Sequence, residues 1–423
     1  MNHSPPLSSA LGSCLVFILG CLSGRVCADD WPQWRGPNRD GISRETGLLQ
    51  AWPSEGPKLL WQIRDVGGGF STPSVVGERI YVLGNEGTEN EFVKALQVKD
   101  GKEVWSRRIG KVGNPDQKPP YPGTRSTPTV ERDALYALGS DGDLVCLETA
   151  TGKVRWHKSL REEFGGKPGT WAYSESPLID GDAVVCTPGG RQATVLALNK
   201  KTGEVLWTCA LPEGDDAAYA SVVVAEAGGT RHYVQLLQKG LVGIAPETGK
   251  FLWRYDKPVS RFDANIPTPV VAGSHVYVAS AGTGGGLVKL KKGNDAIEHE
   301  PIYFESKLPT AIGGSIKIGD HLYGTTGQSM LCLEFATGDI KWEERALGAA
   351  SLCYADGRLY LHSENGEVGL IEANPEGYRE HGRFTPPESP ERGRGVKAWA
   401  YPVVANGRLY IRDLGSLWCY AVK

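Results

Sequence analysis

Seven residues of the 423-residue chain stand where chemistry could happen: Arg125, Trp171, Tyr173, Glu175, Asp263, Asn265 and Trp399. Each lies a few residues ahead of a proline-bearing step that opens a run of apolar residues, alongside Phe70, Ser71, Thr72, Ser126, Thr127, Ser176, Tyr219, Thr268 and Tyr401. Aromatic rings beside a few polar and charged groups suit a small-molecule or peptide site. The Ser and Thr residues read better as groups that satisfy the backbone where strands begin. The other candidates are balanced between function and structure. The common catalytic signatures HExxH, GxSxG and GxxxxGK[ST] are absent from the sequence.

Charge and cysteine usage narrow the classes. The formal net charge is −3 and no Lys/Arg-rich block occurs, so nucleic acid is not an expected partner. Leu11 to Leu22 is an apolar run too short to span a bilayer as a helix, and Val26-Cys27-Ala28 then supplies small residues for cleavage before Asp29. Residues 1–28 therefore read as an export signal, which places the mature chain in the periplasm or cell envelope with no transmembrane span. Ile18-Leu19-Gly20-Cys21 fits a lipid-attachment motif poorly, so a lipid anchor on Cys21 is the lesser reading. The remaining cysteines, Cys146, Cys186, Cys209, Cys332, Cys353 and Cys419, show no CxxC, CxxCH or adjacent pair, and they read as small apolar core residues.

These side chains need a frame, and the frame is a repeat. Ser126 to Trp156 reads STPTVERDALYALGSDGDLVCLETATGKVRW: four short apolar runs joined by Gly-bearing turns, the pattern of four antiparallel strands. Copies end in KDGKEVW at Trp105, KTGEVLW at Trp207, ETGKFLW at Trp253 and ATGDIKW at Trp342. Two copies are degenerate, Pro267–Phe304 without the TG turn and Ala350–Phe384 with NPEG in its place. The last copy, Tyr401 to Val422, offers three strands, and Pro57 to Trp61 offers a lone fourth. Joining them closes a ring and removes exposed sheet edges. The expected architecture is an all-β, eight-bladed β-propeller over residues 57–423, preceded by a leader at 29–56. Trp61, Trp105, Trp156, Trp207, Trp253 and Trp342 share one register and are expected to dock neighbouring blades.

The x-TG-K/E-x-x-W ending resembles the repeats of the pyrroloquinoline-quinone (PQQ) family of propellers, and the resemblance covers nearly the whole mature chain. The segment Asp30-Trp31-Pro32-Gln33-Trp34-Arg35-Gly36-Pro37-Asn38-Arg39-Asp40-Gly41 is similar to the leader of planctomycete PQQ-like propeller proteins. It is expected to pack along the ring, with binding by Trp31 or Trp34 secondary. BamB-like members of the family imply a binding or assembly scaffold without cofactor. Quinoprotein members imply the alternative, a PQQ- and Ca²⁺-dependent dehydrogenase acting on an alcohol or sugar. In that alternative Glu175 and Asn265 would supply metal oxygens, Trp171 would stack on the quinone, Arg125 would pair with its carboxylates and Asp263 would be a third ligand or base. The chain lacks the adjacent cysteine pair, haem motif and long insertions of the larger quinoproteins. The scaffold is therefore the reading preferred.

Loop lengths choose the working face. Turns between strands one and two, and three and four, are short and plain (ERDA, DGDA, ANGR, the TGK turns). The opposite face carries the longer links, such as 110–125, 160–174, 257–266 and 385–399. Function commonly sits in variable loops on a rigid frame. An envelope protein, or a small-molecule or saccharide ligand, is thus expected on the long-loop face of a monomer. The Pro/Gly/charge-rich stretch 385–395 reads as a solvated excursion.

Overall fold

A computed structural model describes residues 1–3, 30–227, 229–260, 262–293 and 297–423. The expected export segment, its cleavage site and Cys21 lie outside the described residues. The protein is an eight-bladed β-propeller of four-stranded antiparallel sheets. Blades 1 to 7 span residues 74–110, 129–159, 178–209, 223–255, 270–305, 315–344 and 350–384. Blade 8 combines Val403–Ala405, Arg408–Asp413 and Ser416–Ala421 with Leu59–Ile63 from the other end of the chain. The closing strand pairs Trp61 with Cys419 and Ile63 with Leu417. The only helix among the described residues, Leu160–Phe164, is a short turn between blades 2 and 3. No described helix is long and apolar enough to cross a membrane.

The repeat motif has a direct physical meaning. Within a blade, a Tyr on the second strand, a small residue on the third and a Trp on the fourth lie side by side. Tyr81, Ala95 and Trp105 form such a row, as do Tyr136, Cys146 and Trp156, then Tyr323, Cys332 and Trp342, then Tyr410, Cys419 and Trp61. A small central residue leaves room for two large rings, whose centroids are 6.0 Å apart for Tyr136 and Trp156. All six thiols among the described residues are buried in this manner or in the adjoining blade cores.

Each Trp then reaches the next blade. The indole N–H groups of Trp61, Trp105, Trp156, Trp207 and Trp342 donate to Val98, Thr149, Lys200, Pro246 and Asn374 carbonyls at 2.7 to 3.0 Å. The TG glycine receives the ring face. Gly152 has φ +68°, and a Cβ there would lie 2.6 Å from the Trp105 ring, so both its backbone conformation and its missing side chain are used. Degenerate blades keep the scheme by substitution. In blade 5 Tyr303 takes the Trp place and its hydroxyl donates to Phe335 O at 2.9 Å. In blade 7 that place is Gly382, and Trp52 from the leader fills it, 5.7 Å from Tyr360 and 5.5 Å from Phe384.

The leader does more than pack along the ring. It enters the central channel from the short-turn face, where Asp30 accepts from Gly77 N at 2.9 Å. Trp31 bridges to Val75 of blade 1, and Pro32 O accepts from Val130 of blade 2. Arg39 donates to Ser176 O and Pro177 O at blade 3, Trp34 to Thr268 Oγ1 at blade 5, and Arg35 to Ser315 O at blade 6. Ile42 then pairs with Tyr354 of blade 7, and Glu45 accepts from Gly407 N at blade 8 as the segment returns to the short-turn face. The local sequence suits so tight an excursion. Gly36, at φ +80°, lies flush on the Trp31 ring, where a Cβ would come within 3.0 Å.

Candidate functional site

The leader tip divides the channel. On the long-loop side lies a cavity of about 280 Å³ walled by seven aromatic rings: Trp34, Phe70, Tyr121, Trp171, Tyr219, Trp399 and Tyr401. Thr72, Arg125, Ser174, Ala264, Ile266, Ala281 and Ile312 complete it. Most of these residues come from inter-blade links just ahead of inner strands, and Trp34 comes from the leader.

Hydrogen bonds hold the rings by their polar edges. Trp399 Nε1 donates to Glu364 Oε1 at 3.2 Å, Trp171 Nε1 to Pro119 O at 3.3 Å, and the Tyr401 hydroxyl to Ile312 O at 2.8 Å. Trp399 packs between Phe70 at 4.8 Å and Tyr121 at 5.0 Å, Trp171 lies 5.8 Å from Tyr219, and Trp34 meets Tyr401 edge-on at 4.5 Å. With their edges engaged, the rings offer apolar surface to the cavity.

Arg125 is the one charged side chain in this wall. Its guanidinium lies 5.5 Å from the Phe70 ring centroid and donates to Gly123 O at 2.8 Å, to Tyr121 O and to Gln117 Oε1 at 3.3 Å. Burial lowers its pKa to about 10, against the opposing pull of Tyr219 and Glu91, so it remains a cation at neutral pH. The cup can therefore take an apolar or aromatic group with a negative or carbonyl end directed at Arg125.

The candidates separate into two sets. Arg125, Trp171 and Trp399 meet in the cup, together with Phe70, Thr72, Tyr219 and Tyr401. Tyr173, Glu175, Asn265 and Asp263 do not line it. Tyr173 is buried and donates to Pro188 O at 2.7 Å. Glu175 lies between blades 3 and 4, accepting from Thr187 N, from Thr187 Oγ1 at 2.9 Å and from Gln235 Nε2 at 3.2 Å. Burial raises its pKa to about 7 in spite of those bonds. Asn265 spends its whole amide on the fold: Oδ1 accepts from Ser260 N at 2.8 Å and Ser280 Oγ at 2.7 Å, and Nδ2 donates to Leu237 O and Gln238 O. Asp263 is an exposed rim residue at φ +53°.

The alternative reading with PQQ and Ca²⁺ meets a mismatch here. Trp171 and Arg125 share the cup, but calcium takes about six to eight oxygens. Asn265 has no free amide oxygen, Glu175 lies apart from the cup, and no described group of three or more His, Cys, Asp or Glu could hold a metal. This donor set does not fit the ion.

The rim hydroxyls act between blades. Ser176 Oγ accepts from Thr127 N at 2.8 Å, Ser221 Oγ from Ser176 N at 2.9 Å, and Thr72 Oγ1 from Tyr401 N at 2.9 Å. Tyr121 and Trp34 are wall residues that the search for strand-start positions overlooks or ranks low. Trp34 lies outside the repeat, and its only sequence signal is the dense Trp/Arg/Gly/Pro composition of the leader.

Comparison with known proteins adds the following. The family model described as outer membrane protein assembly factor BamB matches residues 89–344. Outer membrane protein assembly factor BamB of Moranella endobia is 23% identical over 206 residues, 46% of this chain and 48% of that protein. Quinoprotein alcohol dehydrogenase PedH of Pseudomonas putida is 24% identical over 298 residues, 63% of this chain and 45% of that enzyme. The chain thus spans about half the length of these curated relatives. The crystal structure of BamB from Moraxella catarrhalis superposes with a TM-score of 0.60 at 14% identity, over 86% of this chain and 99% of that one, a likeness of fold.

Proposed function

Since the chain belongs to the family of outer membrane protein assembly factor BamB, we propose that it is an exported binding and assembly scaffold of the cell envelope. Its partner is an envelope protein that seats an apolar or aromatic side chain in the cup on the long-loop face. The observation that carries this reading is the cup itself: seven rings, five of them held at a polar edge, one cation, and no carboxylate in the wall. Such a surface binds by apolar burial and stacking, with Arg125 fixing orientation. It lacks the paired acid and base that hydrolysis or proton abstraction would need. The reading calls for no cofactor, and residues 1–28 act as the export signal.

Two measurements on the mature protein test it. A photo-crosslinker placed at Tyr121 or Ser174 should capture a discrete envelope protein in the native cell, whereas one at Glu78 on the short-turn face should not. Equal capture from both faces, or none from the cup, sinks the proposal. Thermal melting with PQQ plus Ca²⁺, with Ca²⁺ alone as control, addresses the rival enzyme reading. A ligand specific to the native state raises the melting temperature by mass action. A saturable PQQ-dependent rise overturns the scaffold; no rise supports it.

A further inference from the structure

One apolar ring on the long-loop face lies outside both the core and the cup. Phe262 is 66% exposed, the most exposed large apolar side chain from Asp30 onward among the described residues. Others that exceed a third, such as Leu60, Val104 and Leu206, lie on the outermost strands of blades, away from the axis. We propose, on the reading of the cup as a seat for a protein side chain, that Phe262 is a second anchor for the same polypeptide, which covers this ring with one apolar side chain while it seats another inside.

Position is the first support. Phe262 borders the cup wall twice: Ala264 of the wall follows it by two residues, and Ala281 of the wall precedes Gly282, on which the ring rests. Gly282 has φ +74°, and a Cβ there would lie 2.6 Å from the Phe262 ring, so the ring lies against bare backbone. The wall adds half-buried apolar residues of its own, Ile266, Ile312, Trp171 and Trp399. Apolar surface gathered at one place marks an interaction site, whereas apolar residues scattered singly do not. Size selects the occupant. A free small molecule enclosed in about 280 Å³ would leave Phe262 in water. A polypeptide with one side chain in the cup has to cross the rim, where it can cover the ring.

The second support is bracing. Asn265 Oδ1 accepts from Ser260 N at 2.8 Å and Ser280 Oγ at 2.7 Å. The Ser260 hydroxyl donates to Ala281 O at 3.0 Å and accepts from Phe262 N at 3.1 Å. Gln238 Nε2 donates to Asp263 O at 3.3 Å, where the chain turns at φ +53°. Asn265 is thus a positioning residue for the loop that presents the ring. A loop already ordered loses little entropy when a partner covers it, and covering an exposed aromatic ring releases the water around it. Rigidly held aromatic side chains are common anchors of protein interfaces.

The test uses the mature chain in the native cell, with benzoylphenylalanine as photo-crosslinker at Tyr121 or at Phe262. The expected result is one and the same protein, identified by mass, from both positions. Phe262→Ser should lower capture at Tyr121 by roughly tenfold, as loss of an interface anchor does. The melting temperature should stay within about 1 °C, because the ring lies outside the core. Phe262→Tyr, which keeps the ring, should retain capture, and Leu206→Ser, which removes an exposed apolar side chain of blade 3, should leave it unchanged. Capture at Tyr121 that Phe262→Ser does not alter, or a different protein or none at Phe262, overturns the second anchor and leaves the scaffold reading standing. Loss of capture together with a lower melting temperature makes Phe262 a structural residue and equally overturns it. No capture at Tyr121 overturns both.

Discussion

At the outer edge of the ring, Trp105, Trp156 and Trp207 occupy the same place in three successive blades and make the same bond to the next one. At the axis, Trp31, Trp34, Arg35 and Arg39 each meet a different blade, and no two contacts are alike. The belt is repeated chemistry, in which one rule is applied around the circle. The axis is one short segment that reaches seven blades through unlike contacts. Such a segment can be specialised without disturbing the repeat, and the cup lies against it. The two regions meet at Trp52, a leader residue that does a blade's work where Gly382 leaves a vacancy.

Removing the leader is the most severe way to break this contrast. Deletion of residues 30–52 should cost at least about 5 kcal/mol in denaturant unfolding, because two fully or nearly buried tryptophans go with it. Unchanged stability would make the leader an appendage. Next comes Trp52→Ala, expected to cost about 3–5 kcal/mol, as Trp156→Ala should in a regular blade. A much smaller loss at Trp52 would deny that it replaces a blade residue.

The interior should also titrate where the belt does not. Burial raises Glu91, bonded to Ser140 N and Oγ, to about 8, and Glu175 to about 7. Both hold their proton more tightly folded than unfolded, where 4.5 is ordinary. The stability they contribute is therefore whole below about pH 4.5 and is lost as pH rises toward 7 and 8. Loss on the order of 8 kcal/mol is expected across that window, the larger share from Glu91, and Glu175→Gln should flatten its share of the curve. Stability independent of pH in this range would contradict the burial of both carboxyls. The smallest effect separates two belt positions. Trp156→Phe forfeits an inter-blade bond and should cost about 1 kcal/mol more than Trp253→Phe. Among the described residues Trp253 Nε1 has no acceptor, and its ring meets His299 instead.

Legibility followed the same division. Strand alternation, TG turns and the Trp register were readable because each repeats and each answers to local geometry. The closing strand at Leu59–Ile63 was readable from the missing fourth strand of the last copy. The cup was readable only by position along the chain. Standing before an inner strand brings a residue near the axis, but it does not say whether its side chain turns into the channel, as at Arg125 and Trp171, or between blades, as at Glu175 and Asn265. Trp34 ranked only as a secondary binder and Arg35 and Arg39 beside it carried no signal, because their partners lie 137 to 280 residues away, and no local pattern records such contacts.

The closing strand also has a consequence for the order of assembly. Leu59 to Ile63 has its strand partner in residues 417–420, and Glu45 meets Gly407. A segment synthesised before every blade is thus among the last to find its place. Until the final strands exist, one sheet edge and the tryptophans of the leader stay open to proteases and to other chains. A polypeptide cut short near its C-terminus would keep most of its blades and still be marked as unfinished. The ring thereby works as a gauge of length, released from scrutiny only when the strands of blade 8 have been made.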